Sequence, residues 1–231
     1  MTGLCNSIFM SFLKGGIPLP KYSMREGISA HIKSNMGLYF LVFVFLSLGI
    51  ASGAFTVRAL DDVQRQALIK YMQGFFQILT TNSVDSIAVL KQSIINNVQT
   101  IAVIWILGIT IIGIPISLFI IGVRGFILGF TVGFLLNGLG WQGLFFTALA
   151  ILPQNLIIIP CLAAVEVTSL SFSLMIIHNR RAKKWTNNYY HKFLSYTVII
   201  LILFAFSICG SLIEAYIVPV FIKLMSSYLT L

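Results

Sequence analysis

Three ionisable side chains, Arg124, Glu166 and Glu214, stand inside apolar stretches of this 231-residue chain. A charge surrounded by hydrocarbon must be neutralised, paired or put to use, so intramembrane acids are candidates for proton or ion chemistry. Glu166 is expected either to pair with Arg124 or to stay protonated. Glu214, followed by Tyr216 and Pro219, is expected near an interface where water reaches it. With the amides Gln154 and Asn155, these groups could line a path for a solute or ion.

Hydrolytic chemistry has no comparable support. His31, His178 and His191 fall in the polar segments, and no H-E-x-x-H, G-x-S-x-G or phosphate-binding glycine loop occurs. Serines in the apolar runs have no evident base beside them. Cys5, Cys161 and Cys209 share no metal-ligand spacing. The chain is read as no enzyme, with no cofactor and no metal.

The elements that position these residues are membrane helices. From Gln92 to Val165, 74 residues contain one charged side chain, Arg124. The composition is 58% hydrophobic and 9% charged, with a mean hydropathy of +0.97. A soluble domain is about 45–50% apolar. The net charge of +9 sits in short segments beside apolar spans, which is an orientation signal rather than a nucleic-acid footprint.

The fold class expected is all-α, a polytopic membrane helix bundle of about five transmembrane helices with a glycine-rich, proline-broken central pair. Met36 to Val57 is the first span, preceded by Lys14, Lys21, Arg25 and Lys33 and retained as an anchor. Val98 to Val123 reads as the second, ending at Arg124, which would snorkel to the inner interface. Gly125 to Ile177, 53 residues, would make a helix of about 80 Å and must fold back. Its candidate breaks are Asn137–Gly143 and Pro153–Asn155. Phe193 to Ile222 is the last span. Two crossings between Gly125 and Ile177 put ten basic residues inside and five outside, with the N-terminus in and the C-terminus out.

Residues 1–35 are thus a cytoplasmic N-terminal segment and 36–231 a single membrane domain. A basic cytoplasmic loop is expected at 178–192 and an extracytoplasmic segment at 58–97. In that segment Leu60, Val63, Ala67, Tyr71, Phe75 and Leu79 recur at helical spacing and form a candidate partner face, or a face that lies on lipid. Asn82 and Ser83 break this helix, and Asp85 is placed to cap the next. A second stripe, Ile87, Leu90, Ile94 and Val98, leads into the following span.

Candidate packing residues come next. Gly125, Gly129 and Gly133 share one helix face, and Gly49 with Gly53 forms another pair, a spacing that lets backbones approach in lipid. The face suits a neighbouring helix of the same chain or a homo-oligomer seam. Gly108, Gly113 and Pro115 interrupt the second span, and Pro153 and Pro160 the fourth. Gln154 and Asn155 are placed to re-satisfy freed carbonyls through interhelical hydrogen bonds.

Four blocks in this order carry a resemblance: Trp105–Pro115, Gly129–Leu135, Leu152-Pro153-Gln154-Asn155-Leu156 through Pro160, and Glu214-Ala215-Tyr216 with Pro219. They resemble the stage II sporulation protein M family of endospore-forming bacteria, from about Met24 to the C-terminus. The resemblance implies a multipass protein of the mother-cell or septal membrane, working in engulfment with stage II sporulation proteins D and P, which degrade peptidoglycan. It implies a noncatalytic anchor or scaffold whose partners are those proteins and membrane lipid. Wider relatives carry a Pro-His-Gly block and a glutamate where this chain has Pro153-Gln154-Asn155, which speaks against proton or metal chemistry there. The alternative is a small transporter or channel using Gln154, Asn155, Glu166 and Arg124. Residues 1–23 lie outside the resemblance; Met24 reads as a natural start, and Met1–Tyr22 as a mis-called start or a weak interfacial anchor.

Overall fold

The computed structural model describes residues 32–81, 86–181 and 189–220, and their side chains except at 71–73, 75–81, 139, 142, 146, 179–181 and 189. Of the described residues 94% are helical and none forms a strand. In chain order the elements are α1 (Met36–Arg58), α2 (Asp62–Thr81), α3 (Ser86–Gly108), α4 (Gly113–Leu139) and short α5 (Trp141–Phe146). A π-helical turn (Thr147–Ile151), α6 (Leu152–Arg181), α7 (Tyr189–Leu212) and a second π-helical turn (Ile213–Ile217) follow. Five stretches are long and apolar enough to cross a membrane: Met36–Arg58, Ser86–Gly108, Gly113–Gly138, Gly143–His178 and Tyr190–Val220. The protein is an all-α polytopic bundle.

The span count matches the reading of hydropathy, but the boundaries differ. Val98 to Val123 is not one span. α3 ends at Gly108, and residues 109–112 turn the chain back into α4. The turn is Ile109-Thr110-Ile111-Ile112, so hydropathy runs through it without a dip. Gly113 makes it possible, because a Cβ there would lie 1.9 Å from the Leu107 carbonyl oxygen. Pro115 sits in the first turn of α4, where a missing N–H is tolerated, and so opens a helix rather than breaking one. As a consequence α3 begins at Ser86, and residues 86–97 belong to a span instead of an outer segment. Its inward face is Ser93, Asn97, Ile101, Ile104 and Gly108; Ile87 and Val98 of the expected stripe are exposed.

The second reversal falls at Gly140, whose φ of +56° suits glycine. Gly143 lets α5 return closely along α4, since a Cβ on it would meet the Leu135 carbonyl oxygen at 2.1 Å. The chain does not turn at Pro153. Instead the π-helical turn Thr147–Ile151 ends two residues before Pro153, and Ile213–Ile217 ends two residues before Pro219. A proline removes one N–H and crowds the carbonyl four residues back; widening the preceding turn relieves that crowding.

α1 and α4 form the tightest pair. Cβ atoms on Gly49 and Gly53 would come within 2.1 Å of the Gly122 and Phe126 carbonyl oxygens, and those on Gly125 and Gly129 within 2.4 and 2.0 Å of the Leu46 and Ile50 carbonyl oxygens. On the other side α3, α6 and α7 pack around an apolar core that includes Ile101, Ile104, Ile158, Leu162, Val165, Leu170 and Ile200.

α2 begins with Gln64 accepting from the Asp61 backbone N–H at 3.3 Å, half of a capping box. Leu60, Arg65 and Ile69 line a small cleft against Val57, Phe134, Asn137 and Gly138. Val63 is 79% exposed and Ala67 is exposed, so this part of the expected partner face points away from the bundle. The side chains of Tyr71, Phe75 and Leu79, the cap at Asp85, the loop residues 182–188 and the N-terminal 31 residues lie outside the described set.

Candidate functional site

The buried polar groups gather in two clusters, each joining α3 to the helices around it. In the first, the last turn of α3 presents carbonyls that no further helical turn can satisfy. Tyr196 of α7 donates to one of them, the Trp105 carbonyl, at 2.9 Å, and Ser169 of α6 donates at 3.0 Å to the Ile104 carbonyl just inside the helical ladder. Ser173, one turn beyond Ser169, donates to the Thr110 carbonyl in the turn at 2.9 Å. Gly108 leaves room for this arrangement: a Cβ there would lie 2.3 Å from the Tyr196 hydroxyl and 2.4 Å from that of Ser169. Trp105 donates from Nε1 to Thr197 at 3.2 Å, and Tyr196 stacks on Phe172 at 4.3 Å between centroids. Side chains from two other helices thus cap an α3–α4 turn made of apolar residues.

The second cluster lies farther along α3. Ser93 donates to a Glu214 carboxylate oxygen at 2.5 Å, and Asn97 donates to Ser211 at 3.0 Å. Both acceptors are on α7 or the π-helical turn that follows it. That turn carries Glu214, so Pro219 bears on the placement of the acid through the π-helical geometry it imposes. Arg124 lies at mid-length of α4, not at an inner interface. Its guanidinium donates to the Asn96 carbonyl at 3.2 Å and to the Thr100 hydroxyl. Glu214 is the acid within its electrostatic reach.

Arg124 therefore does not pair with Glu166. Glu166 is fully buried on α6, and neither carboxylate oxygen has a hydrogen-bond partner of ordinary geometry. Ser117 and Tyr196 are its polar neighbours. The Ser117 hydroxyl reaches toward it but is committed to the Ile114 carbonyl at 3.1 Å, and that of Tyr196 to Trp105.

The amides do not make the interhelical bonds read from their position. Asn155 donates within its own helix, to the Ile151 carbonyl at 2.8 Å, and the buried Gln154 Oε1 has no partner. They are the two residues after Pro153, where the chain leaves the π-helical turn, and Asn155 serves the wide turn locally. Pro160 is on the exposed side of α6. Arg124 and Asn155 line one cavity of about 70 Å³, walled by apolar residues of α1, α4 and α6; Gln154 and Glu166 do not line it. The four residues of the transport reading are thus not drawn into one site. Gly133 faces Ala54 at 3.2 Å from a built Cβ, so the glycine face of α4 is covered by α1 along its length.

The serines, which lacked partners in the sequence reading, carry much of this organisation. Their signal was present as small polar residues four apart: Ser93 with Asn97, Ser169 with Ser173, Ser207 with Ser211. Among the described residues no group of three or more His, Cys, Asp or Glu is arranged to hold a metal ion.

Fold and polar clusters together define a multi-pass helical membrane protein whose buried polar groups mainly tie helices to one another. A family model described as stage II sporulation protein M matches residues 42–219, about three-quarters of the chain, and the chain belongs to that family. It is a sporulation membrane protein. No curated protein and no solved structure matches it.

Proposed function

We propose that this protein is a noncatalytic membrane anchor or scaffold that positions peptidoglycan-degrading enzymes during engulfment, with stage II sporulation proteins D and P as its partners. The observation that carries the reading, beside the family match, is the use of the buried hydroxyls. Ser169, Ser173 and Tyr196 each donate to a backbone carbonyl at the end of α3 or in the turn after it. A nucleophile committed to closing a helix end supports a structural body. The outward face of α2, with Val63 and Ala67 exposed, is the surface offered to the partners. The protein works in the mother-cell or septal membrane, with its N-terminus and the 178–192 loop in the cytoplasm and α2 outside.

Affinity capture of the full chain from sporulating cells, with and without Val63→Asp and Ala67→Asp, tests this. Both positions are exposed, so the double variant should accumulate normally, lose the wall-degrading enzymes and stall engulfment. Normal capture and normal engulfment from it would overturn the partner surface. Orientation is checked in a chain cleared of its cysteines, with Ser83→Cys or Asn187→Cys and an impermeant thiol reagent on intact cells. Position 83 should label and position 187 should not; the reverse pattern inverts the topology.

A further inference from the structure

The two intramembrane acids are treated differently by the fold. Glu214 has Ser93 as donor and lies within electrostatic reach of Arg124. Glu166 has no opposite charge in reach, although it is the more deeply buried. A carboxylate withdrawn from solvent with no compensating charge is strongly disfavoured, so a positive charge is missing from its surroundings.

The surroundings are built from oxygen. Ser117 and Tyr196 are the acid's polar neighbours, with Ser117 within hydrogen-bonding reach of it, and a hydroxyl oxygen carries two lone pairs that can face a cation. Ser169, one turn along α6 from Glu166, donates to the Ile104 carbonyl. The carbonyls of Ile104 and Trp105 belong to the C-terminal end of α3, the negative pole of that helix. Ser117 stands in the second turn of α4, and Pro115 removes one N–H donor from the first. Hydroxyls, a carboxylate and helix-end carbonyls are the ligands by which membrane helices hold small hard cations.

We propose that Glu166, with Ser117 and Tyr196, forms a binding site for a small monovalent cation, a proton or a sodium ion, between α4, α6 and α7. Occupancy supplies the charge that the protein's own side chains do not, and locks α4 and α7 onto α6. The site is a joint in the bundle that responds to the ionic conditions of the membrane.

The test is thermal unfolding of the full chain in detergent, in sodium chloride against choline chloride at equal ionic strength, and from pH 8.5 to 5.5. A cation that binds only the folded chain raises Tm by about 4 °C for each tenfold excess over its dissociation constant. A rise with sodium identifies an alkali-ion site, and a rise on acidification identifies a proton site. Glu166→Gln, which keeps the shape without the charge, should abolish the dependence, whereas Glu214→Gln should keep it. If Glu166→Gln does not accumulate, Ser117→Ala should weaken the dependence at least threefold in apparent affinity. A wild-type Tm that responds to neither cation, a response that survives in Glu166→Gln, or one that is unweakened in Ser117→Ala, overturns the proposal.

Discussion

The α1–α4 pair and the α3–α6–α7 group solve one problem by different means. Lipid offers no hydrophobic drive for helix association, so contact must come from close packing or from polar bonds. α1 and α4 use packing: Gly49, Gly53, Gly125 and Gly129 bring backbone against backbone, with no side chain between. α3, α6 and α7 use bonds, in which hydroxyls reach carbonyls and an amide reaches a hydroxyl across ordinary side-chain distances. The glycine seam should therefore fail abruptly when any atom is added. The hydrogen-bonded group should weaken in steps as bonds are removed.

The largest effect expected is from Gly129→Leu. A Cβ alone would lie 2.0 Å from the Ile50 carbonyl oxygen and 2.8 Å from its Cα, so backbone must move. Destabilisation of about 3 kcal/mol or more should appear as loss of membrane-inserted protein on blots. Gly122→Ala lies in the same stretch but faces its nearest contact at 3.8 Å, and should accumulate normally. Equal behaviour of the two variants would break the distinction between the seam and its flank.

A smaller loss is expected from Gly108→Ala, which crowds two hydroxyls rather than a backbone. About 2 kcal/mol, read as a lower Tm in detergent, would place it between the groups. Tyr196→Phe, introduced with Gly108→Ala, makes room for the methyl group and should recover part of the loss.

Single bond deletions come next. Tyr196→Phe leaves the Trp105 carbonyl without its donor, because the Ile109 N–H turns to Ile106 instead. It should lower stability by about 1 kcal/mol while keeping the stack on Phe172. Ser169→Ala should do less, since the Ile104 carbonyl lies inside the helical ladder. The smallest effect is expected at Gly37→Ala, where nothing lies within 4 Å of the added carbon, and Tm should not move. A double deletion, Tyr196→Phe with Ser173→Ala, sharpens the comparison: near-additive losses mean the turn is held by independent bonds.

The sequence by itself determined the material and the count. Charge-free runs of this length fit only a bilayer, helices are the all-α way to satisfy their backbone there, and length divided by rise gives the number of crossings. It also determined the glycine faces, because small residues at i, i+4 and i+8 have few other uses in lipid. The reversal at Gly140 lay within the glycine-rich stretch where a break was read. Only the tertiary structure decided the α3–α4 turn. Ile109-Thr110-Ile111-Ile112 carries no local turn signal of its own; its Thr110 carbonyl is held by Ser173, and the end of α3 before it by Ser169 and Tyr196, from helices about 60 to 90 residues away. The same holds for the acids. Hydropathy marks Arg124, Glu166 and Glu214 alike, but which acid comes within electrostatic reach of the arginine depends on the rotation of each helix about its axis. That rotation is fixed by the glycine seam on one side and the serine bonds on the other, whose partners are set only when the helices are packed.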